Sequence, residues 1–221
     1  EKPCWFRGTA YLRGMGKVAV RARFFSLIVA MCAVGVCCTL SGWAQTVADV
    51  QLAVLQYRGG GDWYSNPTAV PNLVRYCNEE MGMRLSEEVP YVDVASPDLF
   101  NHPWIHMTGH GNVVFSARKA DQLRSYLESG GFLHISDNYG MDAFVRAAMA
   151  KVFPDLEWIE VPFDHPVYHQ KFDFPEGLPK IHEHDDLPAR GFGLFVKGRL
   201  VCFYDHECDL GDGWEDYQVH R

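Results

Sequence analysis

Apolar positions along this chain fall into two alternating patterns. Short continuous runs at Val50 to Tyr57, Trp104 to Thr108 and Phe132 to Ser136 predict buried strands. Between them the spacing turns helical. Val70, Leu73, Val74 and Cys77 predict a helix opened by Ser65-Asn66-Pro67 and ended by Gly82 after Met81. Ala120, Leu123 and Leu127 predict a second helix, capped by Ser116 and stopped by Gly130-Gly131, and Met141 to Phe153 predicts a third, closed by Pro154. Val89 to Val94 reads as a short extended piece. Strands and helices in alternation imply a parallel sheet with crossover helices.

The pattern changes after Pro154. Glu157 to Val161 predicts a short strand, and Asp164 to Asp186, rich in His, Pro and Asp, an irregular excursion. Gly193 to Val196 and Leu200 to Tyr204 flank Lys197-Gly198-Arg199, a hairpin signal. The tail from Asp209 to Arg221 holds turn formers without an apolar run, so the chain is expected to stop short of a final helix or strand.

The first 44 residues differ in kind. Arg21 and Arg23 precede the uncharged run Phe24 to Leu40, and Gly42 and Ala44 supply a small-x-small end. That is the layout of a secretory signal peptide, cleaved after Ala44; the alternative is an uncleaved anchor, since the run approaches spanning length. Met15 is the natural start, which makes residues 1–14 upstream sequence. Residues 45–221 are then one α/β domain, exported to the periplasm or cell envelope and touching membrane only through an uncleaved leader. The whole chain has 20 basic and 28 acidic residues; without the leader 14 and 27 remain, a net charge of −13. Such acidity argues against nucleic acid or anionic lipid as a partner. Cys77, Cys202 and Cys208 lie beyond the leader, an odd number without CxxC spacing and so not a disulfide framework; Cys77 and Cys202 read as packing residues, and a Cys202–Cys208 pair is the alternative in an oxidising compartment.

All ten histidines lie beyond residue 100, several of them where apolar runs end. Strand carboxyl ends are where open α/β sheets bind ligands. His110 stands between Gly109 and Gly111 just after one run, and Asp137-Asn138 follow another. The flanking glycines permit either a tight turn or the close approach of another group. His106 and His134 lie inside strands, as hydrogen-bonded core residues.

Several segments together carry a resemblance: Tyr57-Arg58-Gly59-Gly60-Gly61-Asp62-Trp63-Tyr64, Pro71-Asn72-Leu73, Thr108-Gly109-His110-Gly111-Asn112, Gly130-Gly131-Phe132-Leu133, Asp164-His165-Pro166 and Asp209-Leu210-Gly211-Asp212-Gly213-Trp214-Glu215. In this order they resemble the bacterial family called domain of unknown function 4159, over about residues 50 to 216. The resemblance implies a three-layer, flavodoxin-like sandwich similar to class I glutamine amidotransferases, with a mostly parallel sheet. It implies no established activity.

Amidotransferase chemistry needs a nucleophile on a strained elbow with small residues two positions either side. Ser136 is the candidate, but His134 and Asn138 occupy those places and no Cys is near. A triad of Ser136, His165 and Asp164 is disfavoured, because neighbouring Asp and His do not easily point at one another in line. A phosphate cradle at Gly59-Gly60-Gly61 lacks GxGxxG and GxxxxGK[ST], and reads instead as a turn that brings Asp62 and Trp63 inward. Trp63 and Tyr64 are placed to stack on a sugar ring, with Asp62 bonding hydroxyls.

For a divalent metal, His110, Asp137, His165, the pair His182/His184 and Asp205-His206 have suitable donors without a spacing signature such as HExxH. His182-Glu183-His184-Asp185-Asp186 reads first as a solvated loop. The leading expectation is an exported binding domain without a cofactor. Its crevice would be formed by Asp62, Trp63, His110, Asp137, Asn138, Asp164 and His165, for an unknown small molecule or envelope protein. The alternative is a metal-assisted hydrolase with His110, Asp137 and His165 as ligands.

Overall fold

The structure is a computed structural model that describes residues 49–182 and 184–216. The expected leader lies outside the described residues. The elements run β1 (Ala53–Gln56), α1 (Ala69–Met81), β2 (Tyr91–Asp93), β3 (Trp104–Met107), α2 (Ala117–Glu128), β4 (Phe132–Ser136), α3 (Asp142–Val152), β5 (Ile159–Glu160), β6 (Arg190–Val196), β7 (Arg199–His206) and α4 (Leu210–Trp214). They build one seven-stranded sheet in the order β2-β1-β3-β4-β7-β6-β5. The first five strands of that order are mutually parallel, and β6 and β5 extend the sheet antiparallel. The parallel part has the order of flavodoxin-like doubly wound sheets.

The pleat assigns the layers. Successive side chains of a strand point to opposite faces. Leu55, Ile105, Met107, Leu133 and Ile135 join one cluster with Leu123 and Leu127 of α2 and Val145 and Val152 of α3, all fully buried. The opposite face carries Leu52 and Val54 against Val70 and Val74 of α1, and farther along Phe203 against Val161 and Tyr168. Cys202 and Cys208 are buried and free, and the Cys208 thiol donates to the Pro179 carbonyl.

Ser116 caps α2 as expected, accepting from the Lys119 amide. The start of α1 differs from the sequence expectation. Asn66 has φ of 57°, and the helix begins at Ala69 with no side-chain cap from its own N-terminal turn. Glu215 supplies the cap from the far end of the chain. It accepts the Thr68 amide at 2.8 Å, the Ala69 amide at 2.9 Å and the Thr68 hydroxyl at 2.6 Å. A carboxylate suits the positive end of a helix, and this one lies outside the reach of any local pattern. The tail read as turns also forms a short helix, α4, capped by Asp209 accepting from Asp212 N.

Because Glu215 provides the cap of α1, Glu215→Ala should destabilise the domain by about 1–2 kcal/mol. Urea unfolding should show a lower midpoint at unchanged slope. An unmoved midpoint would mean that the cap contributes nothing.

Candidate functional site

The sheet reverses its winding between β1 and β3. From β1 the chain moves outward to β2 through α1 on one face; from β3 it moves the other way to β4 through α2 on the opposite face. Two loops therefore diverge at the carboxyl ends of β1 and β3 and leave a crevice, the usual ligand position of such sheets.

Two side chains join those loops. Asp62 follows β1 and accepts from the His110 amide, and its Oδ2 lies 3.0 Å from His110 Nδ1. Partial burial of Asp62 opposes ionisation, but the bonds from the His110 amide and ring outweigh it and hold the carboxyl below its ordinary value. Half of the His110 side chain stays in solvent. Gly109 has φ of +133°, and a Cβ there would run into the Tyr57 hydroxyl. So both uses of glycine hold: the backbone needs the conformation, and the β1 loop comes too close for a side chain. Trp63 is partly buried against the core and meets Tyr64 and Tyr91 edge-on at 5.4 and 5.2 Å. Tyr64, 62% exposed, and Tyr91, 48% exposed, are the accessible rings.

The neighbouring strand ends carry a polar network. Thr108 Oγ1 donates to Asn66 Oδ1 at 3.1 Å, and Asn66 Nδ2 donates to Asp212 at 2.5 Å. The Asn138 amide, oriented by its partners, places its nitrogen 2.9 Å from both Asp209 oxygens and its oxygen 3.0 Å from Ser65 Oγ. Asp137 is buried, with Oδ1 accepting from Tyr204 at 2.8 Å and Oδ2 from the Glu207 amide at 2.7 Å. Asp205 is fully buried and accepts from the Asp137 amide, the Leu210 amide and Ser136 Oγ. Burial raises the pKa of Asp205 well above the ordinary carboxyl value. Burial and the charge of Asp212 push Asp209 up to about 8.

The structure brings Asp62, Trp63 and His110 together and places Asn138 and Asp137 on the adjoining rim. It does not bring His165 to them. His165 accepts from the Val167 amide and packs edge-on against Phe195 at 5.9 Å. Phe195 pairs with Leu200, five residues before Asp205 on β7 and thus roughly 15 Å down the sheet at strand rise. The three metal ligands expected from sequence, His110, Asp137 and His165, therefore do not share a centre. Asp164 is exposed beside His165. The Ser136 hydroxyl is buried between Asp205 and the Gly211 amide, closed to a substrate.

A family model described as Domain of unknown function (DUF4159) matches residues 51–221. The chain belongs to the DUF4159 family. No curated protein matches it. In this DUF4159 chain the Gly-Trp-Glu segment has a clear structural role. Glu215 caps α1, while Trp214 lies over His106 and His134 at 5.9 and 5.3 Å.

Those two histidines are buried side by side. Their Nδ1 atoms are 3.0 Å apart, so one ring donates and the other accepts. Asp205 Oδ2 lies 3.3 Å from His134 Nε2 without a hydrogen bond between them. Burial drives His106 well below the ordinary histidine value and His134 down to about 3. An apolar groove of about 620 Å³ runs along the same face, among Leu73, Trp104, Phe132, Phe203 and Trp214.

The unfolded chain protonates each histidine near pH 6.5, while the folded chain leaves His134 neutral until about 3. Each therefore removes stability as pH falls from about 6.5, by about 1.4 kcal/mol per pH unit. The raised Asp205 and Asp209 carboxyls act oppositely, losing stability as pH rises from about 4 toward their folded values. In an NMR titration from pH 8 to 4, the ring signals of His106 and His134 should stay at their neutral positions. A midpoint near 6.5 at either ring would refute the buried neutral pair.

Proposed function

We propose that this DUF4159 chain is an exported ligand-binding domain of the cell envelope, and that its crevice between β1 and β3 takes a polyhydroxylated ligand of the saccharide class. The supporting observation is the meeting of Asp62 and His110 across the winding reversal, flanked by the exposed rings of Tyr64 and Tyr91. Aromatic faces stack on the apolar face of a sugar ring, and a carboxylate beside an imidazole bonds adjacent hydroxyls. Tyr64 takes the stacking role expected of Trp63, because Trp63 is partly buried and serves as the platform beneath it. The basic, apolar and small-residue layout of residues 21–44 supports export. No helix among the described residues is long and apolar enough to cross a membrane. The likeness to class I glutamine amidotransferases is one of architecture in this reading. The position that would carry the nucleophile holds a buried serine already bonded on both sides.

A panel of neutral and amino-sugar oligosaccharides, titrated into labelled protein, should shift amide signals at residues 58–64 and 108–112. Tyr64→Ala and His110→Ala should each weaken binding about tenfold, equivalent to about 1.4 kcal/mol, with the circular dichroism spectrum unchanged. Failure of every saccharide to bind, or shifts confined to another face, would overturn the assignment.

A further inference from the structure

We infer that His182, His184 and Asp209 form a second site, for a divalent first-row transition-metal ion of the zinc type. One donor atom from each lies within 4.8 Å of the others. Asp209 Oδ2 is 3.5 Å from His184 Nε2 and 3.9 Å from His182 Nδ1, and Asp212 Oδ2 is 3.4 Å from the same His182 nitrogen. Ligands bonded to a tetrahedral ion at 2.0–2.1 Å stand about 3.3 Å apart. The two separations from Asp209, 3.5 and 3.9 Å, are thus within tenths of an ångström of that spacing. Two imidazoles and a carboxylate form a mixed nitrogen and oxygen set, which suits zinc-type ions better than calcium or magnesium.

The donors are already held in place. Asp209 is 1% exposed, with Asn138 donating to both its oxygens and the Asp212 amide donating to Oδ1 at 3.2 Å. Asn66 fixes Asp212. The His184 side chain, 3% exposed, packs edge-on against Tyr139 at 5.9 Å and against His182 at 5.2 Å. Outer partners of this kind orient metal ligands. His182 is 61% exposed, so the site opens to solvent on that side and leaves a fourth position for water.

This inference stands apart from the saccharide reading, and metal alone tests it. The full chain, stripped with chelator, is titrated with Zn²⁺ in a calorimeter and with Co²⁺ by visible absorption. The expected result is one ion per chain at micromolar affinity or tighter, tetrahedral cobalt bands and a raised melting temperature. His182→Gln and His184→Gln should each weaken binding at least tenfold and abolish the melting shift. His169→Gln, at a surface histidine paired with Asp173, should bind as the parent does. His182→Gln changes an exposed side chain, so it reads out binding even if His184→Gln misfolds. No binding by the parent, or parent-like affinity in His182→Gln, overturns the site.

Discussion

Two aspartates at the carboxyl ends of β4 and β7 hold this domain together. Asp205 of β7 accepts the backbone amide of Asp137, and Asp137 accepts the backbone amide of Glu207 just past β7. The bonds are reciprocal, and they join the two parallel strands where the ladder between them ends. A buried carboxylate is costly without donors, and here each has at least two. The arrangement therefore fixes the turn from β7 into α4, because Asp205 also accepts the Leu210 amide. α4 then sets Trp214 over the histidine pair and Glu215 on the start of α1. In this way a polar lock between two interior strands positions a helix against the start of α1.

That dependence explains why the rim is polar and rigid together. The network from Thr108 through Asn66 to Asp212 spans β3, the approach to α1 and α4. Every member has a partner, which suits a buried polar network better than partial satisfaction would. Positive φ at Asn66, Glu207 and Asp209 falls in this region. Unusual backbone of this kind persists where surrounding bonds over-determine it.

Elements with strong local signals are legible in the sequence, and those fixed from a distance are not. β4 runs from Phe132 to Ser136 as its apolar run predicts, and Ser116 caps α2. Asp62 and His110 stand out because glycines and strand ends mark them locally. The start of α1 escapes a local reading because its cap, Glu215, arrives from 146 residues away. Asp209 and Asp212 are hidden because six acidic residues from 205 to 216 resemble a solvated tail until α4 turns them inward. The pair His182/His184 resembles a surface loop for the same reason, since nothing nearby in sequence shows that Asp209 faces it. His165 joins the rim only if all strand ends point one way. β6 runs antiparallel, so Phe195, against which His165 packs, lies at the opposite end of the sheet.

Electrostatics narrows what such a rim accepts. The loop at Gly59 to Gly61 follows a strand as phosphate loops do, yet the Gly61 amide is already given to the Asn112 carbonyl, and Asp62 stands beside it. Farther along, Asp137, Asp205, Glu207, Asp209 and Asp212 crowd the adjoining strand ends. Lys180 faces Glu207 at 3.1 Å. An anionic ligand would approach buried carboxylates. A neutral polyhydroxylated molecule instead finds acceptors for its hydroxyls at the crevice. The burial of acidic groups that locks β4 to β7 thus disfavours an anion at that rim.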